Sequence, residues 1–147
     1  MATQAVESHR ENAEVIYGND LCKAKIQEKL KELELPNGLL PLEEVTEFGM
    51  NPTTGYVWVK QKNTSKHRFT SIDKTVSYGQ EITAFVEKRR LKKVTGVKVR
   101  ELLIWISLGD FCIEDKDPAK LVIKTAMYGI PVSYPVSAFL LEDGEKK

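Results

Sequence analysis

The sequence predicts a mainly β protein, an antiparallel β-barrel or roll of about 7–10 short strands with an N-terminal α-helix packed against it. Three observations predict this class. Apolar residues recur at a helical period only before residue 35. From residue 39 onward they alternate with a period of two, in short runs that turn residues separate. The strand predicted at residues 102–108 is apolar on both faces, which indicates that it is buried on both sides, inside a closed barrel with a covering helix.

The helix is predicted over residues 20–34, with Asn19 or Asp20 as its N-cap. Its apolar positions recur near every 3.6 residues and are Leu21, Cys22, Ile26, Leu30 and Leu33. Residues 36–38 (Pro-Asn-Gly) end it, because the residue before proline disfavours the α conformation. A weaker helix is predicted at residues 9–17.

The strands are predicted from alternation and from the turn residues between them. They cover residues 56–62, 67–72, 75–78, 81–86, 91–99, 102–108, 111–114, 121–125 and 132–139. Pro131 and Pro135 place the last strand at a sheet edge or a bulge, because proline cannot donate to a strand ladder.

The chain is predicted to form one folded domain. Residues 1–19 are expected to be a partly helical extension, residues 20–141 the β domain, and residues 142–147 a disordered tail. The first residues lack the apolar segment of a signal peptide, and no apolar run approaches membrane-spanning length. We therefore expect a cytoplasmic protein, with peripheral attachment to membranes left open, and two reduced cysteines.

Several chemistries lack their sequence patterns. No glycine-rich phosphate loop occurs, and the two histidines and two cysteines do not have zinc-site spacing, so we expect no cofactor and no metal. The nearest approach to a hydrolase nucleophile is Ser77, with His67 as its base. A strand, not a helix, is predicted after Ser77, so we expect no catalytic residue here.

Positive charge is concentrated in the middle of the chain. Residues 51–100 carry 12 Lys and Arg but only 3 Asp and Glu. The densest cluster, hereafter the basic cluster, consists of Lys88, Arg89, Arg90, Lys92 and Lys93. It is interpreted as a solvated hairpin tip, or as a contact for an anionic membrane. A nucleic-acid partner is not expected, because no aromatic residues flank the cluster.

The aromatic residues of the predicted strands have two interpretations. They either pack the core or line a hollow for a small apolar ligand, as in some β-barrels. The predicted pocket is lined by Trp58, Tyr78, Phe85 and Trp105.

Several segments together resemble the plant domain of unknown function 538 family, and its branch linked to trichome size and branching. They are residues 35–41, 54–60, 76–78, 81–84, 95–105 and 134–139. The resemblance implies a β-barrel-like roll with an N-terminal helix, and roles in stress and trichome development. It also implies binding of a lipid or a chlorophyll-like pigment, or hydrolysis of its ester.

Three functions follow as expectations. The first is a non-enzymatic binding module for a small apolar or amphipathic ligand, such as a lipid or a tetrapyrrole pigment. The second is a carboxylic ester hydrolase that acts on such a ligand. The third is a protein-interaction module whose partner the sequence does not identify.

Overall fold

The structure, a computed structural model, describes residues 4–141 of the chain. In this part of the chain, two α-helices precede or interrupt the first strands: α1 Gln4–His9 and α2 Asn19–Glu32. Its nine strands are β1 Glu14–Tyr17, β2 Val45–Asn51, β3 Tyr56–Gln61, β4 Ser65–Phe69, β5 Lys74–Glu87, β6 Arg90–Glu101, β7 Ile104–Ile113, β8 Lys120–Thr125 and β9 Pro131–Pro135. Short 3₁₀ helices follow β4 and β9, at Thr70–Ile72 and Val136–Phe139.

All nine strands form one antiparallel sheet. Its order is β1-β2-β3-β5-β6-β7-β8-β9, and β4 pairs with β5 beside this path. The long strand β5 has room for both partners, because its residues 74–78 pair with β4 and its residues 81–85 pair with β3. The edge position of β9 confirms the interpretation of its two prolines.

The core lies on one face of this sheet and under α2. Cys22, Ile26 and Leu30, four residues apart, form the buried stripe of the helix. They join the side chains of the strands and of the segment after the helix in one apolar cluster. Helix α2 therefore packs against the sheet, as its periodicity predicts.

The prediction of a closed barrel is wrong. Within residues 4–141, β1 and β9 form the two ends of the sheet and do not pair with each other. The prediction rested on residues 102–108 as a doubly buried strand, but residues 102 and 103 form a hairpin turn, and Ile104 and Trp105, which begin β7, are exposed. Leu102 is 94% exposed and Leu103 is 87% exposed. The apolar run contains no glycine, asparagine or proline, so it carries no turn signal in the sequence.

The N-terminal part also differs from the prediction. Residues 14–17 form β1 and not the end of a helix, and β2 was not predicted at all. The N-cap of α2 is Gly18, at a φ of 97°, and not Asn19 or Asp20. The Asn19 side chain instead accepts a hydrogen bond of 2.9 Å from the Val45 amide and so ties the helix start to β2. The predicted tail at residues 142–147 lies outside the described residues.

Candidate functional site

The most unusual surface of the described chain is a pair of hairpin ends with exposed apolar side chains. The first is the turn between β6 and β7, and the second is the turn between β8 and β9. We call them together the apolar tip, which consists of Leu102, Leu103, Ile104, Trp105, Met127, Tyr128 and Ile130. Scattered apolar side chains are normal on a protein surface, whereas seven exposed ones on two turns make this surface a candidate interaction site.

The first turn holds a leucine in a conformation that leucine disfavours. Glu101 pairs with Ile104, so the turn consists of Leu102 and Leu103 alone. Leu102 has a φ of 57°, in the left-handed region that glycine and asparagine tolerate much better. The Leu102 side chain is not buried there, so it gains no hydrophobic stabilisation that would offset the disfavoured conformation. Folding alone therefore does not explain why a leucine occupies this position.

The second turn repeats this feature. Tyr128 has a φ of 67° and is 87% exposed. The turn is held by Thr125, whose hydroxyl donates a 2.6 Å hydrogen bond to the Met127 carbonyl and accepts one of 2.9 Å from the Ile130 amide. A large side chain is therefore presented to solvent by an ordered turn.

Strand pairing brings the two turns to the same end of the sheet. The amide of Ala126 donates a 2.8 Å hydrogen bond to the carbonyl of Ser107 on the neighbouring strand β7. Ser107 lies three residues from Ile104, a distance of about 10 Å along a strand. The residues that follow Ala126 continue toward the first turn, so both turns lie at the same end of the sheet.

Four cations lie on the sheet face next to the apolar tip. In the strand register, Lys66 lies directly opposite Ser77, and Ser77 lies directly opposite Lys98. Residues that lie opposite each other on neighbouring strands project from the same face of the sheet. One row closer to the tip, Arg68 and Arg100 occupy the equivalent positions on β4 and β6. We call Lys66, Arg68, Lys98 and Arg100 the cationic face.

Trp105 joins the cationic face to the apolar tip. It pairs with Arg100, and the Lys66 ammonium lies 5.4 Å from the centre of its ring. The side chain is 37% exposed. Arg100 donates a 3.2 Å hydrogen bond from Nε to the Leu102 carbonyl, which directs its guanidinium toward the first turn.

The predicted basic cluster is at the other end of the sheet. Arg90 and Glu101 are the two ends of β6, roughly 35 Å apart along an extended strand. Most of its cations face carboxylates. Lys88 and Arg89 pair with Glu34 at 3.0 and 2.8 Å, and together hold the pKa of that carboxyl below its ordinary value.

The other members of the basic cluster also have partners. Arg90 pairs with Asp110 at 2.8 Å, and Lys92 forms an ion pair with Glu87. The Lys93 ammonium lies 5.8 Å from the ring centre of Phe85. The densest run of positive charge in the sequence is therefore largely neutralised by its neighbours in the fold.

The structure does not bring the four predicted pocket residues together. Tyr78 is in the main core, where its hydroxyl donates a 3.0 Å hydrogen bond to the Leu39 carbonyl and burial raises its pKa. Trp58 and Phe85 belong to a separate cluster under the N-terminal segment. Trp105 lies on the surface at the apolar tip.

The cavities in the core are small. The larger one has a volume of about 40 Å³, is almost wholly apolar, and has Tyr78 among its lining residues. The second, near Tyr134, has a volume of about 20 Å³. Pockets that enclose a drug-sized ligand have volumes of about 300–1,000 Å³. A lipid chain or a tetrapyrrole does not fit in either core cavity.

The structure separates the two residues of the hydrolase alternative. Ser77 pairs with Lys66, whereas His67 pairs with Val76, a buried core residue. Because side chains alternate along a strand, Ser77 and His67 project from opposite faces of the sheet. Among residues 4–141, no group of three or more His, Cys, Asp or Glu side chains could hold a metal ion.

Sequence reasoning missed the cationic face and the exposure of the apolar tip. A signal for the first exists, because Lys66 with Arg68, and Lys98 with Arg100, each alternate along one strand. The register that joins them through β5 is not visible in the sequence. For the second turn, the Tyr-Gly sequence at residues 128–129 is a weak turn signal.

No helix within residues 4–141 has both the length and the apolar character that crossing a membrane requires.

Comparison with known proteins identifies the family but no activity. No curated protein matches the chain. No solved structure matches it either. The family model described as "Protein of unknown function, DUF538" matches residues 26–140, more than half of the chain, and the protein therefore belongs to the DUF538 family.

Proposed function

We propose that the chain is a non-enzymatic lipid-binding module that meets its lipid at a membrane surface, through the apolar tip. The observation that carries this proposal is the presence of Leu102 and Tyr128 at positive φ on two neighbouring, solvent-exposed turns. A non-glycine residue in this left-handed conformation destabilises the folded state by about 1–2 kcal/mol relative to glycine. A ligand that contacts these side chains would account for their presence.

The shape and chemistry of the tip favour a bilayer. Two turns that protrude from one end of a sheet can enter the headgroup region together, while the rest of the domain stays in water. Trp105 and Tyr128 are amphipathic side chains of the kind that concentrate at membrane interfaces. Amphipathic surface elements bury their apolar side chains about 5–10 Å into the boundary between headgroups and acyl chains.

The size of the tip favours reversible attachment. Full burial of a leucine side chain contributes about 1.5–3 kcal/mol, so Leu102 and Leu103 together contribute on the order of 3–6 kcal/mol. Before other contacts are counted, this corresponds to a dissociation constant between roughly 10 mM and some tens of micromolar. A module of this strength would need further contacts with the membrane.

An enclosed ligand has less support. The core cavities of about 40 and 20 Å³ hold a few water molecules at most, so the lipid or pigment expected from the sequence would have to bind at the surface. The trichome and stress roles that the sequence resemblance implies stay predictions, since the geometry of the tip does not bear on them.

The test uses the emission of Trp105. Wild-type protein is titrated with vesicles of phosphatidylcholine containing phosphatidylserine, and with the same vesicles carrying bromine on the acyl chains. We expect a blue shift with plain vesicles and quenching by the brominated lipid. Trp105→Phe, which leaves only the buried Trp58, is the control that should show neither change.

A variant of the first turn completes the test. Leu102→Gly with Leu103→Asn keeps a sequence that suits a two-residue hairpin and removes both leucines. We expect it to fold and to bind vesicles at least tenfold more weakly. Unchanged Trp105 emission in the wild type at high lipid concentration would overturn the proposal. If sedimentation then showed a dimer that the variant loses, the tip would be an interface between two copies.

A further inference from the structure

The cationic face brings four surface cations together, and only Arg68 among them has a carboxylate partner within residues 4–141. Its four members come from two strands that are about 30 residues apart in the sequence, and β5 aligns them on one face. Lys66, Arg68, Lys98 and Arg100 are all exposed. The face would therefore attract a multiply charged anion.

The acids near this face leave it positive. Asp73 pairs with Arg68 at 2.5 Å. Glu101 pairs with Lys74 and projects with Val99 and Val97 toward the core side of the sheet. Within residues 4–141, Lys66, Lys98 and Arg100 make no ion pair. In the basic cluster, by contrast, Glu34, Glu87 and Asp110 neutralise the cations.

The position of the cationic face beside the apolar tip indicates which kind of anionic partner fits it. The cation at Lys66 lies over Trp105, and Arg100 is hydrogen-bonded to the carbonyl of Leu102. A partner that reaches Lys66 and Arg100 therefore also meets the exposed leucines. An anionic bilayer surface offers phosphates and carboxylates directly beside an apolar layer. Nucleic acid would leave Leu102 and Leu103 in water.

We propose that the cationic face binds the anionic headgroups of a membrane while the apolar tip enters its surface. This inference rests on the proposed function and adds the lipid class to it. The energetic reason is that each Lys or Arg near an anionic membrane surface strengthens binding by about fivefold, whereas a neutral surface gives no such gain. The basic cluster, about one strand length away, would then face the solvent.

The test compares two charge-matched double variants on two kinds of vesicle. Lys66→Gln with Lys98→Gln removes two cations from the face and keeps the Arg100 hydrogen bond to the turn. Lys116→Gln with Lys120→Gln removes two exposed cations at the opposite end of β7 and β8 and is the control. The vesicles consist of phosphatidylcholine alone or of phosphatidylcholine with phosphatidylserine, and binding is measured by sedimentation.

We expect phosphatidylserine to strengthen wild-type and control binding, and raised salt to remove this gain. The Lys66/Lys98 variant should lose roughly 25-fold in affinity for the anionic vesicles and keep wild-type affinity for the neutral ones. Equal losses in the two double variants, or equal wild-type binding to both vesicles, would overturn the inference. The second result would leave the proposed function standing, because Trp105 would still enter the membrane.

A third ligand separates the membrane from nucleic acid. The same proteins are titrated with a fluorescent single-stranded oligonucleotide. We expect weak binding that does not distinguish the two double variants. Strong binding that only the Lys66/Lys98 variant loses, together with no response to phosphatidylserine, would assign the cationic face to nucleic acid and overturn the inference.

Discussion

The indole nitrogen of Trp58 donates a 2.7 Å hydrogen bond to the Glu47 carboxylate, inside the apolar cluster beneath the N-terminal segment. The same carboxylate oxygen accepts a 2.7 Å hydrogen bond from Arg10. Hydrogen bonds to Glu7 and Glu47 raise the pKa of the Arg10 guanidinium above its ordinary value. A single buried carboxylate thus joins β2, β3 and the segment that precedes β1.

Glu47→Ala should destabilise the protein. The change leaves the Trp58 N–H without its acceptor and Arg10 without one of its two carboxylates, for a loss of about 2–4 kcal/mol. Urea unfolding followed by circular dichroism measures it. Glu44→Ala is the matched control, because Glu44 is exposed, and it should stay within about 0.5 kcal/mol of the wild type. Equal losses in the two variants would contradict the role of the carboxylate.

The two tryptophans should differ sharply in solvent access. Trp58 is fully buried, whereas Trp105 is 37% exposed. Emission from Trp105→Phe, which reports Trp58, should be blue-shifted and resist quenching by acrylamide. Emission from Trp58→Phe should be red-shifted and strongly quenched, provided that circular dichroism shows a folded protein. Similar quenching in the two variants would contradict the separate positions of the two rings.

The predictable parts of the fold are those with a regular local pattern. The positions Cys22, Ile26 and Leu30 are buried because a 3.6-residue period alone puts them on one face of α2. Strands β3, β4, β6 and β8 are predicted with shifted ends, since alternation indicates a strand but not its length. The predicted strands at residues 102–108 and 111–114 both fall in β7, and the second half of the strand predicted at residues 132–139 is a 3₁₀ helix. Two predicted strands at residues 75–78 and 81–86 are one strand, β5, in which a bulge interrupts the alternation.

The parts that could not be predicted depend on residues that are distant in the sequence. Glu47 interrupts the apolar pattern of β2, and only Arg10, 37 residues away, and Trp58 make its burial acceptable. The apolar tip was misread for a different reason. An apolar run is normally buried, and Leu102 occupies a turn position where a glycine would have been recognised. The cationic face requires the register of β5.

Leu102→Gly should stabilise the protein. The leucine side chain is 94% exposed and its φ is 57°, so its loss removes almost no contact and relieves a disfavoured conformation. The expected gain is about 1 kcal/mol in the free energy of unfolding. Leu103→Gly, at a turn position without a positive φ, is the control and should be neutral or destabilising. A loss of stability in Leu102→Gly would show that the leucine packs against the fold.

The ion pairs of Glu34 should make stability depend on pH in a defined direction. Arg89 and Lys88 lower the pKa of Glu34 from its ordinary value of 4.5, so the folded state favours the ionised form. This contribution is fully present above pH 4.5 and is lost as the pH falls through the lowered value. Glu34→Gln should therefore unfold at lower urea concentration than the wild type at neutral pH. The difference should shrink toward zero in acid, because wild-type Glu34 is then also uncharged.

Glu43→Gln, with an exposed carboxyl, is the control and should match the wild type at both pH values. A Glu34→Gln difference that stayed constant with pH would mean that the side chain acts through its shape and not through its charge.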